Sequence, residues 1–317
     1  MSGDPPQVGH PITYCESNIV NKSYLILILA VLASLLLSSC QNDTPKAKPL
    51  ALATIHPYEL LLSELLEPQI EVKSIMPINS SPHTWSPNPS DLVLMEQADF
   101  ILSNGFGLEN PIRPQLRRHS TKRFQISEIK GIATLDHHHE GEAEHDDEVV
   151  DPHVWTAPRQ IIKILDKLVP RLSQIYPDLA DTIASRAKNL NLGLQELDSQ
   201  IKTERAQFNE PGLITYHNSF AYFLRDYDIK LLGTIQSSPG QEPSAREMSD
   251  LGTTIRSNNV KAIFVEPQMS RHSADVVANE FGLQVLTLDP LGTQAGATDI
   301  VQFIRLNWQI MKLAFND

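Results

Sequence analysis

The chain runs to 317 residues and carries 26 Lys and Arg against 38 Asp and Glu, a formal charge of -12 at pH 7. That balance lacks the basic footprint a nucleic-acid partner needs, and it favours the gathering of cations near the surface. The sequence has only two cysteines and no Gly-x-x-x-x-Gly-Lys-Ser/Thr stretch, which leaves no disulfide framework and no phosphate-cradling loop of an ATPase.

Tyr24 to Leu37 is almost wholly apolar, follows Lys22 and is closed by Leu37-Ser38-Ser39-Cys40. A run of about 14 residues is short for the ~20 that span a bilayer, but it fits the apolar core of a secretory signal. The Leu-Ser-Ser-Cys sequence resembles a bacterial lipobox. Residues 1–39 therefore read as leader and signal peptide, with Cys40 lipidated as the first mature residue; an uncleaved N-terminal anchor is the alternative. The segment before Lys22 is polar without a basic cluster, and a start codon assigned too far upstream would account for it. Cys15 lies upstream of the cut, so the mature chain would hold no intramolecular disulfide. No second long apolar run follows, which excludes a membrane channel. Residues 40–49 read as a polar tether between lipid and fold, and the remaining roughly 270 residues suffice for two ordinary domains.

From Leu50 the pattern alternates. Strands are expected at Leu50–Thr54, Ile70–Met76 and Asp99–Ser103, with helices at Pro57–Leu66 and from Pro89 to about Ala98. Asn88 can cap the second helix, Pro89 suits its first position and Asp91 favours its dipole. A second series begins at Leu213: strands at Leu213–Tyr216, Ile229–Ile235, Ala262–Val265 and Gln284–Leu288, and helices at Phe220–Tyr227, from the capping box Ser244-Ala245-Arg246-Glu247 to about Ser257, at Ser273–Phe281 and at Asp299–Phe315. Strands alternating with helices argue for mainly parallel sheets. Between the two series, Leu179, Ile183, Ala187, Leu190, Leu194, Leu197 and Ile201 recur at spacings of three and four, one face of a helix about 45 Å long. The expected fold is α/β, with an N-terminal lobe over 50–176, a stiff linking helix over 177–210 and a C-terminal lobe over 211–317.

Three histidines stand in distinctive contexts: Ser81-Pro82-His83-Thr84, Asp151-Pro152-His153-Val154 and Thr215-Tyr216-His217-Asn218. With Asp289, in Thr287-Leu288-Asp289-Pro290, they make a three-nitrogen, one-carboxylate set that suits zinc in tetrahedral geometry. His83 follows a strand and His153 precedes a helix in the first lobe; His217 and Asp289 each follow a strand in the second. Ligands of open α/β sheets gather beyond the carboxyl ends of the strands, so all four can meet in the cleft between lobes. Each residue alone has a plainer reading: His83 and His153 as turn caps beside proline, His217 as a buried strand-end histidine, Asp289 as a turn initiator before Pro290. Glu266, before Pro267, is expected to support the site or pack the lobes rather than bind metal directly. His56 is expected in the cleft wall, and Trp85 as cleft lining.

Seven blocks in order carry a resemblance over residue 50 to the end: residues 81–91 (Ser-Pro-His-Thr-Trp-Ser-Pro-Asn-Pro-Ser-Asp), 104–109 (Asn-Gly-Phe-Gly-Leu-Glu), 151–155 (Asp-Pro-His-Val-Trp), 217–223 (His-Asn-Ser-Phe-Ala-Tyr-Phe), 238–244 (Ser-Pro-Gly-Gln-Glu-Pro-Ser), 264–268 (Phe-Val-Glu-Pro-Gln) and 288–292 (Leu-Asp-Pro-Leu-Gly). The chain resembles the metal-binding solute receptors of bacterial ABC importers, the zinc and manganese group of the ZnuA and TroA type. The resemblance implies two lobes on a long helix, metal between them, and His83, His153, His217 and Asp289 as its ligands. It implies no enzyme but a monomeric extracytoplasmic receptor, held to a periplasmic or cell-surface membrane through Cys40, that delivers its ion to a permease driven by a cytoplasmic ATPase. In manganese-binding relatives the position of His217 is typically glutamate; imidazole here favours zinc, with manganese or iron the alternative cargo.

The stretch 136–148, with His137, His138, His139 and His145 among acidic residues, has almost no apolar anchor and reads as a mobile loop with weak, auxiliary metal binding, or as a merely solvated insertion. Two other functions compete: a zinc hydrolase, which would keep three ligands, an open water position and a nearby base, and an adhesin-like surface lipoprotein. The sequence holds no His-Glu-x-x-His helix.

Overall fold

The computed structural model describes residues 48–132, 134–135, 150–210, 212–236, 243–293 and 296–315. The leader, Cys40, most of the tether, the four histidines of the acidic stretch and most of the block 238–244 lie outside them.

Two parallel four-stranded sheets form the frame. The first comprises β1 (Leu50–Ala53), β2 (Glu71–Ser74), β3 (Phe100–Ser103) and β4 (Arg123–Gln125) in the order β2-β1-β3-β4. The second comprises β5 (Gly212–Thr215), β6 (Lys230–Thr234), β7 (Ala262–Val265) and β8 (Gln284–Thr287) in the order β6-β5-β7-β8. Helices connect the strands: α1 (His56–Leu66), α2 (Pro89–Gln97), α3 (Arg113–Arg118), α4 (Pro158–Ile175), α5 (Ala180–Arg205), α6 (Ala221–Asp226), α7 (Ala245–Ser257), α8 (His272–Phe281) and α9 (Ile300–Leu313). The start of α2 is a capping box in which the Asn88 side chain accepts from the Asp91 amide and Asp91 accepts from the Asn88 amide; Ser244 and Glu247 repeat the device at α7.

Strand alternation divides the interior into layers. Ala51, Ala53, Phe100 and Leu102 face one cluster, whereas Leu50, Leu52 and Ile101 face another beneath α2 and α3. In the second sheet Leu213 and Phe264 point to the first of these clusters, and Ile214, Tyr216, Ile263 and Val265 to a third beneath α7 and α8. The cluster that both sheets share contains Ile183, Ala187, Leu190, Leu194, Leu197 and Ile201, the buried face of α5. These are the residues whose spacing marks the helix in sequence, except Leu179, which falls in a short 3-10 turn just before it. The 26 residues of α5 span about 39 Å.

β4 is not foreseen from sequence. Its three residues carry one apolar side chain between Arg123 and Gln125, and it pairs on one side only, as an edge strand. α4 is foreseen only as a helix after His153.

Glu64, on α1, accepts from the Ile300 amide at the start of α9 at 2.9 Å and so ties the first lobe to the last helix. Burial, reinforced by the neighbouring Asp299 charge and opposed by the Ile300 bond, pushes its carboxyl up to about 7. With a folded pKa above the unfolded value, the contribution of Glu64 to stability is complete below about pH 4.5 and is lost as pH rises through 7. Glu64→Gln keeps an acceptor and removes the titration. Chemical denaturation at pH 5 and pH 8 should show the variant gaining on the wild type at the higher pH by on the order of 1 kcal/mol, the full shift being discounted for partial exposure.

Candidate metal centre

In each sheet the strand order reverses beside the first strand, and this is where loops beyond the carboxyl ends part to form a crevice. In the second sheet His217 leaves β5 and Glu266 leaves β7, the two strands that flank that point. In the first lobe His83 lies in the turn after β2, where the Trp85 amide donates to the Ser81 carbonyl. His153 directly precedes the 3-10 turn Val154–Thr156 that leads into α4.

The structure brings these three imidazoles together. His83 Nε2 lies 3.1 Å from His153 Nε2, which lies 3.3 Å from His217 Nε2, and one ligand atom from each ring lies within 4.8 Å of those of the other two. A tetrahedral ion with Zn–N bonds of 2.0–2.1 Å sets its nitrogens about 3.3 Å apart, so the spacing fits that ion. The cleft among the rings has about 10 Å³ of free space, the room of one water-sized sphere, and is lined also by Trp155, Glu266, Gln268, Pro290 and Leu291.

A carboxylate stands behind two of the rings. Asp151 Oδ1 accepts from the His153 amide at 2.8 Å and lies 2.9 Å from His153 Nδ1; Glu266 Oε1 lies 2.6 Å from His217 Nδ1 and accepts from Ser219 Oγ at 2.9 Å. Each carboxylate favours the proton on Nδ1 and leaves the Nε2 lone pair facing the cleft. Burial pulls His153 down from the ordinary histidine value, with the Asp151 charge and hydrogen bond acting against it. Burial pulls on His217 too, but the charge and hydrogen bond of Glu266, aided by Asp151, outweigh it and leave the net pKa raised.

Asp289 is buried just after β8 but is not one of the clustered groups. Its carboxylate accepts from the Leu291 amide at 3.0 Å, the Thr293 amide at 2.6 Å and the Thr293 hydroxyl at 3.2 Å, and Asn307 holds its main chain. Glu266 supports His217, in the role the sequence suggests. His56 pairs with Glu59 Oε2 at 2.9 Å in the first turn of α1, outside the cluster. Trp85 packs on the core of the first lobe; the indole that lines the cleft is Trp155. Trp155 is fully buried, its ring centroid 5.2 Å from that of His153, and its Nε1 donates to the Pro290 carbonyl at 2.7 Å. One bond thus joins the residue two beyond a first-lobe histidine to the residue after Asp289. Neither it nor Asp151 was singled out from sequence; the Asp-x-His spacing was the only signal for Asp151.

Two α/β lobes on a common helix, with imidazoles from both converging in the cleft, define a two-lobe metal-receptor architecture. A family model described as the ZnuA zinc-uptake complex component A, periplasmic, matches residues 52–314, and the chain belongs to this family. The chain is 26% identical over 288 residues to the high-affinity zinc uptake system protein ZnuA of Bacillus subtilis (strain 168), covering 85% of this chain and 89% of that one. It is also 26% identical over 275 residues to the zinc-binding lipoprotein AdcA of Streptococcus pneumoniae (strain ATCC BAA-255 / R6), of which it spans 54%. A crystal structure of ZnuA superposes with a TM-score of 0.75 at 27% identity, over 84% of this chain and 99% of that one.

Trp155→Phe keeps an aromatic ring against His153 and removes the donor to Pro290. A buried carbonyl left without its partner costs about 1–3 kcal/mol, and urea unfolding of the metal-free variant should register a loss of that size with the m-value unchanged.

Proposed function

We propose that the chain is an extracytoplasmic receptor that captures one Zn²⁺ in the cleft and delivers it to the permease of an ABC importer. The observation that carries this reading is the spacing of the three Nε2 atoms, which matches the edge of a zinc tetrahedron within a space too small for more than one ion. His83, His153 and His217 are the nitrogen ligands. Asp289 is the fourth: it is buried just after β8, and Pro290 and Leu291, which follow it, already line the cleft. Three imidazoles favour zinc over manganese, which prefers oxygen. The histidines of 136–148 supply weak, exchangeable binding that raises the local ion concentration.

A hydrolase would also suit three histidines and an open position. The carboxylates that line or back the cleft among the described residues, Asp151 and Glu266, are however paired with the histidine Nδ1 atoms rather than free to act as base.

Zinc titration against a competing chelator tests the ligand set. His153→Ala should weaken the tight site by well over the ~10–100-fold that loss of a supporting contact typically costs, and Asp289→Ala should also weaken it, while Asp151→Asn should fall within that range. A tight isotherm retained in His153→Ala would overturn the site; one retained in Asp289→Ala alone would leave a three-histidine centre.

Among the described residues no helix is long and apolar enough to cross a membrane. The membrane attachment we propose is a lipid on Cys40, which closes the lipobox-like sequence Leu37-Ser38-Ser39-Cys40. Cys40→Ser should move the protein from the membrane to the soluble fraction or block its processing, as read by fractionation and the mass of the mature N-terminus.

A further inference from the structure

A second cavity, separate from the metal cleft, opens near the carboxyl ends of the first sheet. It measures about 350 Å³ and lies between the turn after β3, the short helix α3 and the edge strand β4. Its existence follows from the local sequence. α3 has six residues and buries only Leu116, so it cannot cover the outer strand of the sheet. The face of β4 beside it carries Arg123 and Gln125 in place of apolar side chains, and the layer stays open. The turn itself is fixed: Gly105, at φ 83°, would with a Cβ collide with Ser127 Oγ, and Gly107 also has positive φ.

Three guanidinium groups line this space: Arg113 and Arg117, one turn apart on α3, and Arg123. The two lining carboxylates are committed elsewhere. Glu109 is buried and accepts from Thr54 Oγ1 and from the amides of Asn104 and Gly105, at 2.7–2.8 Å. Glu128 takes Arg123 Nη2 at 2.5 Å. Among the described residues Arg113 meets only the neutral Asn110 side chain, and Arg117 has no side-chain partner. Arg123 Nε is buried without a partner. A pocket holding two guanidinium groups without carboxylate partners, in a chain of net charge -12, is a local reversal of sign. Phe106 and Leu116 add apolar wall.

We propose that this cavity binds a small organic carboxylate, gripped by Arg113 and Arg117 with its carbon body against Phe106 and Leu116. A planar guanidinium matches a carboxylate through two parallel bonds, and the apolar wall favours an anion with a hydrocarbon portion over an inorganic one. The site lies in the first lobe alone and shares no lining residue with the metal cleft, so it stands or falls independently of zinc capture.

The test is calorimetric titration of the full chain, stripped of metal, with succinate at low ionic strength, with inorganic phosphate as the comparison anion. Saturable binding with a Kd of about 1 mM or below is expected, at least about tenfold tighter than phosphate. Arg113→Gln/Arg117→Gln should lose it by about tenfold or more, while its zinc stoichiometry, measured in parallel, confirms that it is folded. Arg117→Gln alone, a change on an exposed side chain, should give an intermediate loss, and His153→Ala should bind succinate as the wild type does. Absence of saturation by succinate, phosphate binding as tight as succinate, retention in the double variant or loss in His153→Ala would overturn the proposal.

Discussion

The apolar face of α5 is the constraint on which the rest depends. Ile183, Ala187, Leu190, Leu194, Leu197 and Ile201 belong to one cluster with side chains from both sheets, from α1 and α4 in the first lobe and from Phe303 and Trp308 in α9. Burial of this kind contributes on the order of 25 cal/mol per Å² of apolar surface, and neither lobe can withdraw from the helix without exposing it. The lobes are therefore not beads on a flexible tether. They are two sheets seated on one rod, and the relative position of their strand ends follows from the packing along it.

The cleft inherits that fixed geometry. Once the two switch points face each other, short polar contacts suffice to set the loops. Tyr222 Oη, from α6, donates to the Asp151 carbonyl at 2.7 Å, and the Trp155 indole reaches the Pro290 carbonyl; both bonds run from one lobe to the other next to a residue of the site. Asp151 and Glu266 then orient the rings of His153 and His217 from behind. Loops so held keep the three imidazoles side by side at the mouths of the two sheets.

Much of this was legible in sequence because it rests on local rules. Strand and helix alternation, the capping residues at Asn88 and Ser244 and the periodic face of α5 all act within a few residues, and the structure shows them where they are expected. His83 and His153 were legible from the prolines that precede them, and His217 from the strand it follows. What was not legible depends on contacts between distant segments. β4 has too few apolar residues to signal a strand and forms because β3 offers a free edge. Trp155 looked no different from Trp85 until the chain closed a separation of 135 residues to Pro290. Asp289 reads in sequence as a ligand and in the structure as the acceptor of its own turn, because the amides that bond it belong to the residues that follow it.

The narrowness of the cleft carries a kinetic meaning. A tetrahedral site built on nitrogen atoms 3.1–3.3 Å apart would hold a bare ion and not one inside a shell of water. Entry to such a site would demand dehydration, with the protein's donor atoms taking the place of water around the ion. Magnesium gives up its waters reluctantly and calcium asks for six to eight oxygens, so both would meet an energetic barrier at such a site rather than a closed door. Selection of this sort works by the cost of undressing the ion, and it operates before any question of final affinity arises.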